Sequence, residues 1–367
     1  MKPIYYGKQT IDKDDIDAVV QVLNSELITT GPKAKEFEKV IAKQTNARYC
    51  VAVSNGTAAL HLGSLALLNK KDKVLTTPNS FLATSNSILY VGAKPVFVDI
   101  CEDGSIDFGL CEKELKKDNT IKAIYAVSFS GKPLNQEKLA YLKEKYKVKI
   151  LCDNAHSIGS TFQGCSDIST YSFHPVKNIT TGEGGAITTN SKEIYEKLLS
   201  LRNHGMVKTD DMLPWEYEMT SLGFNNRITD FQCALGLSQL KKLDDFLAKR
   251  REIAKFYHDK LKNTQIKPLY NYDKTGAYHL FVVRYPFKDI EQKTQFFKDM
   301  QKKGIFLQLH YIPINKQPYY KDLGYGDEKT PIMDRYYLES FSLPIYPTLS
   351  QDKQEYVIKC LMECIDV

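Results

Sequence analysis

The sequence predicts an α/β protein, with a mostly parallel mixed sheet sandwiched by helices and a smaller C-terminal α+β domain. From about residue 35 to 190, short β-type segments alternate with helical segments. This alternation is typical of parallel strands joined by crossover helices. From about residue 250, strand and helix segments are mixed over a shorter stretch. The change of pattern indicates a second, smaller domain.

The strand segments of the predicted sheet each lead into a polar or glycine-containing turn. In chain order they are YCVAVSN, KVLTTPN, KPVFVDI, IKAIYAVSFSG and VKILCDN, and helical segments such as GTAALHLGSLALL and QEKLAYLKEKY lie between them. Two further strands, ISTYSFH and GAITTN, are separated by a glycine turn instead of a helix. In sheets of this type, ligands bind at the carboxyl ends of the strands.

One long helix is predicted after the sheet. Apolar residues recur at helical spacing throughout ITDFQCALGLSQLKKLDDFLAKRREIAKFYHDKLK. We place the domain boundary inside it, which gives a large domain at 1–245, with the N-terminal segment, and a small domain at 246–367.

Composition excludes several classes of protein. The 367 residues are 43% hydrophobic and 26% charged, as in soluble globular proteins. The 50 Lys and Arg against 44 Asp and Glu are mixed along the chain, which argues against nucleic-acid binding. The absence of a signal peptide and of a long apolar run predicts a cytoplasmic protein without a membrane segment. Eight cysteines without a CxxC pair favour reduced core thiols over disulfides or a zinc site.

The segment VSNGTAALHLG places Asn55, Gly56 and Thr57 between a strand and a helix. The amides of Thr57 and Ala58 would then lie at a helix N-terminus, which suits one phosphate group. An ordinary helix cap explains the same letters. The chain has neither a GxGxxG motif after a strand nor a GxxxxGK[ST] motif, which argues against dinucleotide and P-loop sites.

Asp153 ends the apolar strand of KILCDNAHSIG, and Lys177 follows in SFHPVKNITTGEGG. A carboxylate at the end of a buried strand is costly unless a cation or hydrogen bonds satisfy it. A structural salt bridge would do so, as would a protonated pyridine nitrogen. A lysine, a carboxylate and a phosphate site together are what pyridoxal phosphate needs. Phe81 could cover the cofactor ring or fill the core.

Over essentially its whole length, the chain resembles the DegT/DnrJ/EryC1/StrS family of pyridoxal phosphate aminotransferases that act on nucleotide-linked keto sugars. The segments that carry the resemblance include SNGTAALHL, DNAHSIGS, SFHPVKNITTGEGGAITTN and GFNNRITDFQCALGLSQL. It implies the fold-type I architecture, the cofactor pyridoxal 5'-phosphate and a homodimer with shared active sites. Asn154 and Asn226 depart from the residues common at those positions, Ala and Tyr.

The resemblance also implies site residues. Lys177 would bind the cofactor covalently and later shuttle a proton, and Asp153 would hold the ring nitrogen protonated. The other implied cofactor residues are Gly56, Thr57, Ala58 and Ser172 at the phosphate, Phe81 on the ring, His156 beside the ring hydroxyl, and Asn225 at the neighbouring subunit's phosphate. The implied substrate residues are Thr30, His174, Arg202, Arg227, His310 and Tyr311.

Within the family, HYIPINKQPYY and PWEYEMTSLGFNNR resemble members that aminate carbon 4 of a UDP-linked 4-keto-6-deoxy sugar in pseudaminic acid biosynthesis. The implied substrates are UDP-2-acetamido-2,6-dideoxy-β-L-arabino-hexos-4-ulose and L-glutamate. The alternatives are another nucleotide-sugar 4- or 3-aminotransferase, a pyridoxal phosphate-dependent sugar dehydratase and a non-catalytic regulator. Lys177 argues against a regulator that has lost the lysine and against the dehydratases that replace it with histidine.

Overall fold

The computed structural model describes residues 3–365. The β-strands, in chain order, are β1 (Ile4–Tyr5), β2 (Tyr49–Val53), β3 (Lys73–Thr76), β4 (Lys94–Phe97), β5 (Ile121–Val127), β6 (Lys149–Asp153), β7 (Ile168–Ser172), β8 (Gly185–Thr189), β9 (Met206–Val207), β10 (Glu218–Met219), β11 (Lys267–Pro268), β12 (Phe281–Arg284), β13 (Ile305–Phe306) and β14 (Ser340–Leu343).

The α-helices, in chain order, are α1 (Lys13–Leu23), α2 (Pro32–Gln44), α3 (Gly56–Leu67), α4 (Leu82–Tyr90), α5 (Phe108–Lys117), α6 (Gln136–Tyr146), α7 (Lys192–Arg202), α8 (Asp230–Leu240), α9 (Leu243–Leu261), α10 (Ile290–Lys302), α11 (Pro318–Asp322), α12 (Pro331–Glu339) and α13 (Gln351–Ile365). Across residues 3–365, none of these helices combines the length and the apolar character needed to cross a bilayer.

Among the described residues, seven strands form the main sheet in the order β2-β8-β7-β6-β5-β3-β4. The neighbouring pairs from β7 to β4 are parallel, whereas β8 is antiparallel to both β2 and β7. The predicted mostly parallel mixed sheet is therefore confirmed. The two strands predicted around a glycine turn are the antiparallel pair β7 and β8, and the loop between them carries Lys177.

Strands β5 and β6 are apolar along most of their length because helices cover both faces of the sheet. In β6, alternate side chains enter two different cores. Leu151 packs with residues of α3 on one face, while Ile150 and Cys152 pack with residues of α5 and α6 on the other. The polar residues of β6 are at its two ends, Lys149 exposed at the start and Asp153 buried at the carboxyl edge of the sheet.

The single long helix predicted after the sheet is wrong, because the segment forms two helices, α8 and α9, with a break at Lys241 and Lys242. At this break, the Lys242 amine lies 2.7 Å from a carboxylate oxygen of the fully buried Asp15 in α1. The Gln239 amide donates to the same oxygen at 2.7 Å. Both helix ends are thus tied to α1, and the bend lets the lysine reach its partner.

Helix α9 links the two halves of the chain. Its residues Phe246 and Leu247 pack in the core beside the main sheet, whereas Ile253 and Tyr257 pack in the C-terminal core. This change of core supports a boundary within the helix, and the division at 245 remains a prediction. The N-terminal strand β1 pairs with β13, and β11, β12 and β14 form a small antiparallel sheet. Strand β1 therefore pairs with a strand of the C-terminal region, whereas α1 packs against α8.

The N-terminus of α2 is capped from a distance by Asp230. Its N-cap residue is Gly31, which has no side chain to accept a hydrogen bond. The buried Asp230 carboxylate instead accepts the backbone N–H of Gly31 and of Lys33, each at 2.7 Å. This contact fixes α2 against α8 and so holds the layer that covers β2 and β8.

We expect Asp230→Ala to lower the free energy of unfolding by about 2–4 kcal/mol, because it leaves helix N–H groups unpaired in a buried site. Urea unfolding of the cofactor-free protein, followed by circular dichroism, measures the change. The matched control is Asp244→Ala, at an exposed position in the first turn of α9, which should change stability by less than about 0.5 kcal/mol. Equal effects of the two substitutions would contradict the cap.

Candidate active site

A cavity of about 700 Å³ opens at the carboxyl edge of the main sheet, between the sheet and the C-terminal region. The end of β6, the loop after β7, the start of α3 and the segment around 308–311 form its walls. It brings together most of the predicted site residues, namely Gly56, Thr57, Phe81, Asp153, His156, Ser172, His174, Lys177, His310 and Tyr311.

Lys177 projects into the cavity from the turn between β7 and β8. The turn is closed by backbone hydrogen bonds from Lys177 N–H to the His174 carbonyl at 2.9 Å and from Thr181 N–H to the Phe173 carbonyl at 3.0 Å. Burial lowers the pKa of the Lys177 amine from 10.5 to about 8, and the nearby Asp153 partly opposes this shift. The amine is therefore far easier to deprotonate than a surface lysine.

Asp153 stands across from the lysine, buried at the end of β6. Its Oδ2 accepts the Thr84 hydroxyl at 2.6 Å and its Oδ1 accepts the Ala155 N–H at 3.1 Å. Burial raises the pKa of the carboxyl, although these hydrogen bonds and the charge of Lys177 oppose that effect. Within residues 3–365, no salt bridge involves Asp153, so a structural ion pair does not explain its position.

Four of the chain's seven histidines line the cavity, and three of them are buried: His156, His279 and His310. Burial, reinforced by the charge of Lys177, lowers the pKa of each buried ring, for His310 to about 3. They are therefore neutral at physiological pH. His156 Nε2 lies 3.2 Å from the Tyr311 hydroxyl, and its buried Nδ1 has no hydrogen-bond partner in the described part of the chain.

The start of α3 forms one end of the cavity. Gly56 is required here because a Cβ would come within 2.9 Å of the Ser172 side chain. The predicted role of Ala58 needs correction, because its N–H donates to the capping side chain of Asn55 at 2.8 Å and it does not line the cavity. The helix N-terminus at Gly56 and Thr57, with the Ser172 hydroxyl, remains able to bind an anion.

Arg202 does not line the cavity, contrary to its predicted role in substrate binding. Its guanidinium donates to Glu38 Oε1 and to the Ala52 carbonyl, and Glu38 also accepts the Ala52 N–H. These contacts join α7 and α2 to strand β2. The hydrogen-bond partners of the Arg202 guanidinium are therefore structural residues of its own chain, and the segment LRNHG does not reveal them.

Three other predicted residues also lie outside the cavity of their own chain. Asn225 forms an isolated β-bridge with Asn203, whose side-chain oxygen accepts Arg227 Nη1 at 2.6 Å. Thr30 is exposed at a left-handed turn with φ of 54°. A site role for these residues requires a second subunit.

The two departures from the family pattern serve the backbone framework. The buried Asn154 side chain accepts the Ser128 hydroxyl at 2.6 Å and does not line the cavity. Asn226 accepts the Ser54 N–H at its carbonyl and donates its own N–H to the Arg202 carbonyl. Neither substitution changes a group in the cavity of this chain.

Two residues near the Lys177 amine and the Asp153 carboxylate, His279 and Thr84, are not among the site residues predicted from the sequence. His279 Nε2 lies 3.4 Å from Lys177 Nζ, and Thr84 holds the Asp153 carboxylate. The sequence does carry a signal for His279, because a histidine stands inside the apolar segment YHLFVVRYPF, and the structure buries it. Thr84 sits in a helix of small polar residues and carries no such signal.

The residues present fit pyridoxal phosphate. The buried Asp153 carboxylate has no cationic partner, His156 Nδ1 has no hydrogen-bond partner, and a helix N-terminus faces the same space as a lysine of lowered pKa. These groups could hold a ring nitrogen, a ring hydroxyl and a phosphate, and attach an aldehyde.

Comparison with known proteins agrees with this arrangement. The sequence pattern of the DegT/DnrJ/EryC1/StrS aminotransferase family matches residues 9–362. The chain belongs to this family. It is a pyridoxal phosphate-dependent sugar aminotransferase with the fold-type I architecture that the resemblance implied.

Individual relatives match over the whole chain. A Campylobacter jejuni protein named UDP-4-amino-4,6-dideoxy-N-acetyl-beta-L-altrosamine transaminase is 37% identical, over 99% of this chain and 98% of its own length. The structure of Helicobacter pylori PseC, an aminotransferase involved in pseudoaminic acid biosynthesis, has a TM-score of 0.93 and 33% identity, with 100% of both chains covered. Streptococcus pneumoniae Spr1654, described as a sugar aminotransferase and solved in a PLP form, has a TM-score of 0.91 and 27% identity, with 99% of both chains covered.

In the cofactor-free protein, we expect Lys177 to become reactive toward acetic anhydride with a midpoint near pH 8, because the amine must lose its proton before it reacts. Competitive labelling between pH 6 and 11 with peptide mass spectrometry measures this midpoint, and exposed lysines provide the internal reference near 10.5. Asp153→Asn should move the midpoint to lower pH, since the carboxylate favours the ammonium form. A midpoint near 10.5 would contradict a desolvated amine.

Proposed function

We propose that this enzyme moves the amino group of L-glutamate to carbon 4 of UDP-2-acetamido-2,6-dideoxy-β-L-arabino-hexos-4-ulose, in pseudaminic acid biosynthesis. The observation that carries the reaction is the Lys177 amine, with its lowered pKa, facing the buried carboxylate of Asp153 in one cavity. The choice of sugar rests on relatives of 33–37% identity that are named as the altrosamine transaminase.

The proposed roles follow from the positions of the side chains. When bound, pyridoxal phosphate would supply an aldehyde carbon for the amino group and a ring that draws electrons away from the neighbouring carbon. Asp153 keeps a proton on the ring nitrogen, because a buried carboxylate is stabilised by an adjacent cation. Lys177 anchors the cofactor and, as a free amine, holds the proton at Nζ between its removal from one carbon and its return to another.

The phosphate and ring contacts use groups that are already in place. The N-terminus of α3, through Gly56 and Thr57, and the Ser172 hydroxyl bind the phosphate. His156 Nδ1 would pair with the ring hydroxyl, which would give this buried nitrogen the hydrogen-bond partner that it lacks in the described residues. Phe81, 59% exposed at the cavity mouth, covers the ring face.

The sugar site lies along the C-terminal wall. His310 is fixed by a 2.8 Å contact between its Nδ1 and the Ser342 hydroxyl, and Tyr311 by its contact with His156. His174 lines the cavity from the turn before Lys177. These groups offer hydrogen bonds and flat apolar faces, which suit a nucleotide-linked sugar but do not by themselves select one.

We further propose that the active unit is a homodimer with shared sites. The β9–β10 hairpin and the loop after it expose Trp215 at 74% and Leu222 at 76%, and large apolar side chains exposed together mark interaction surfaces. Asn225 and Arg227 follow directly in the chain. A subunit docked on this surface would receive their side chains near its phosphate and substrate sites.

Mixing two inactive variants tests both the lysine and the sharing of sites. Lys177→Ala should lower turnover at least about 10⁴-fold while still binding pyridoxamine phosphate, because the phosphate site lies elsewhere. If Asn225→Ala also lowers turnover, exchange of subunits between the Lys177→Ala and Asn225→Ala variants should produce heterodimers with one intact site. Turnover by the mixture, compared with each variant alone, gives the answer. Heterodimers that form without any recovery would rule out shared sites.

The substrate is tested by comparing two ketones at equal concentration with glutamate: the L-arabino sugar above and the D-xylo epimer used in bacillosamine and legionaminic acid routes. We expect kcat/KM to favour the L-arabino ketone by at least about tenfold, because the wrong epimer leaves buried polar groups unpaired. Mass spectrometry of the products measures the preference. Preference for the D-xylo ketone, or for a 3-keto deoxythymidine-linked sugar assayed beside the two, would contradict the proposed substrate but not the aminotransferase activity.

A further inference from the structure

His279 approaches the reactive lysine from the C-terminal side of the cavity. It lies just before β12, and its imidazole Nε2 is 3.4 Å from the Lys177 amine. The His279 ring is buried and packs on the His156 ring, with centroids 4.4 Å apart. The contact therefore joins the two halves of the chain, because Lys177 comes from the turn beside the main sheet and His279 from the region beyond α9.

The backbone around His279 is fixed to the large domain on both sides. Ala277 N–H donates to the Gly131 carbonyl at 2.9 Å, and Leu280 N–H donates to the Ser130 carbonyl at 3.3 Å. Gly131, with φ of +95°, could not carry a Cβ, which would come within 2.8 Å of the Tyr278 nitrogen. This close approach of two backbones sets the depth at which the imidazole enters the cavity.

A buried guanidinium holds the same segment from behind. Arg250 of α9 is fully buried, and its Nη1 donates to the carbonyls of Tyr278 at 3.1 Å, His279 at 3.4 Å and Ile345 at 2.9 Å. In the described residues it forms no salt bridge with a carboxylate. A buried cation bound only to carbonyls is costly, so its place behind His279 calls for a positional role.

The direction of the contact follows from the charges around it. An ammonium at Lys177 has only donors, so the contact is favourable only if His279 Nε2 is unprotonated and accepts. The titratable and charged groups that face His279 are Lys177, His156, His310 and Arg250. Lys177 and Arg250 carry positive charge, and burial and the surrounding charge keep the three imidazoles neutral. This contact assigns the proton of the neutral His279 ring to Nδ1, which is buried and has no hydrogen-bond partner among residues 3–365.

We propose that His279 is a positioning residue for Lys177, accepting a hydrogen bond from Nζ through Nε2. One N–H of the free amine is then directed at the imidazole, which leaves the lone pair free to face the substrate carbon. The C-terminal region thereby sets the alignment of the group that moves the proton. This inference rests on the proposed role of Lys177 as the reacting amine.

The test compares His279→Gln with His279→Asn. A glutamine amide can place an acceptor where Nε2 lies, whereas the shorter asparagine cannot, although both are polar and fit the space. In single turnovers of the holoenzyme with glutamate, followed by absorbance, we expect Asn to lower the rate constant about 100-fold and Gln to stay within about tenfold of the wild type. The concentration of glutamate for half-maximal rate should change less than about threefold in both variants.

A second readout does not depend on turnover. A hydrogen bond to the ammonium favours the charged form, so its loss in the Asn variant should lower the pH midpoint of Lys177 acetylation in the cofactor-free protein. The Gln variant should keep the wild-type midpoint. His258→Asn, at a partly buried histidine of α9 outside the cavity, is the matched control and should change neither measurement.

Two outcomes are distinguishable. If borohydride reduction of the wild type fixes the cofactor on a lysine other than Lys177, the proposed role of Lys177 fails and this inference fails with it. If the label is on Lys177 but the Asn and Gln variants behave alike in both the rate constant and the labelling midpoint, only the role of His279 is overturned.

Discussion

The desolvation of one amine is the constraint on which the rest of the site depends. An ammonium at Lys177 is poorly solvated in the cavity, and this lowers its pKa to about 8. The same environment keeps the three buried histidines neutral and raises the pKa of the Asp153 carboxyl. At the protein surface, each of these groups would have a pKa close to its usual value. When these groups are buried together, the Asp153 carboxylate favours a cation on the cofactor ring beside it. The Lys177 amine can then lose its proton near neutral pH.

The fold produces this set by bringing strand ends to one edge. Strands β5, β6 and β7 are parallel, so the turns that follow them open on the same side, and β8 returns antiparallel beside β7. The Asp153 carboxylate and the Lys177 turn come from two such ends. Helix α3 points its N-terminus at the same space, which adds an anion site without a charged side chain. The C-terminal region closes the opposite wall with His279, His310 and Tyr311.

Long-range partners decide two of the features that the sequence alone misassigns, the role of Arg202 and the break between α8 and α9, whereas a local cap decides the case of Ala58. Arg202 resembles a ligand-binding arginine until Glu38 and the Ala52 carbonyl are seen beside it. The Ala58 N–H lies at a helix N-terminus that suits a phosphate, but it donates to the capping side chain of Asn55. The periodicity of α8 and α9 is continuous, yet a turn at Lys242 lets its amine reach Asp15, more than two hundred residues earlier in the chain.

The sequence by itself determined the α/β class and the polar ends of the strands, and it predicted Lys177 and Asp153 as members of one site, which the structure brings together in one cavity. These depend on local hydrophobic periodicity, on turn residues and on motifs that are continuous in the chain. Only the tertiary structure decided that the C-terminal region delivers His279 to Lys177, that Arg250 lies behind it, and that β1 pairs with β13. Such contacts join residues far apart in sequence, and the free energy that selects them comes from burial and hydrogen bonding in the folded chain, which no local pattern records.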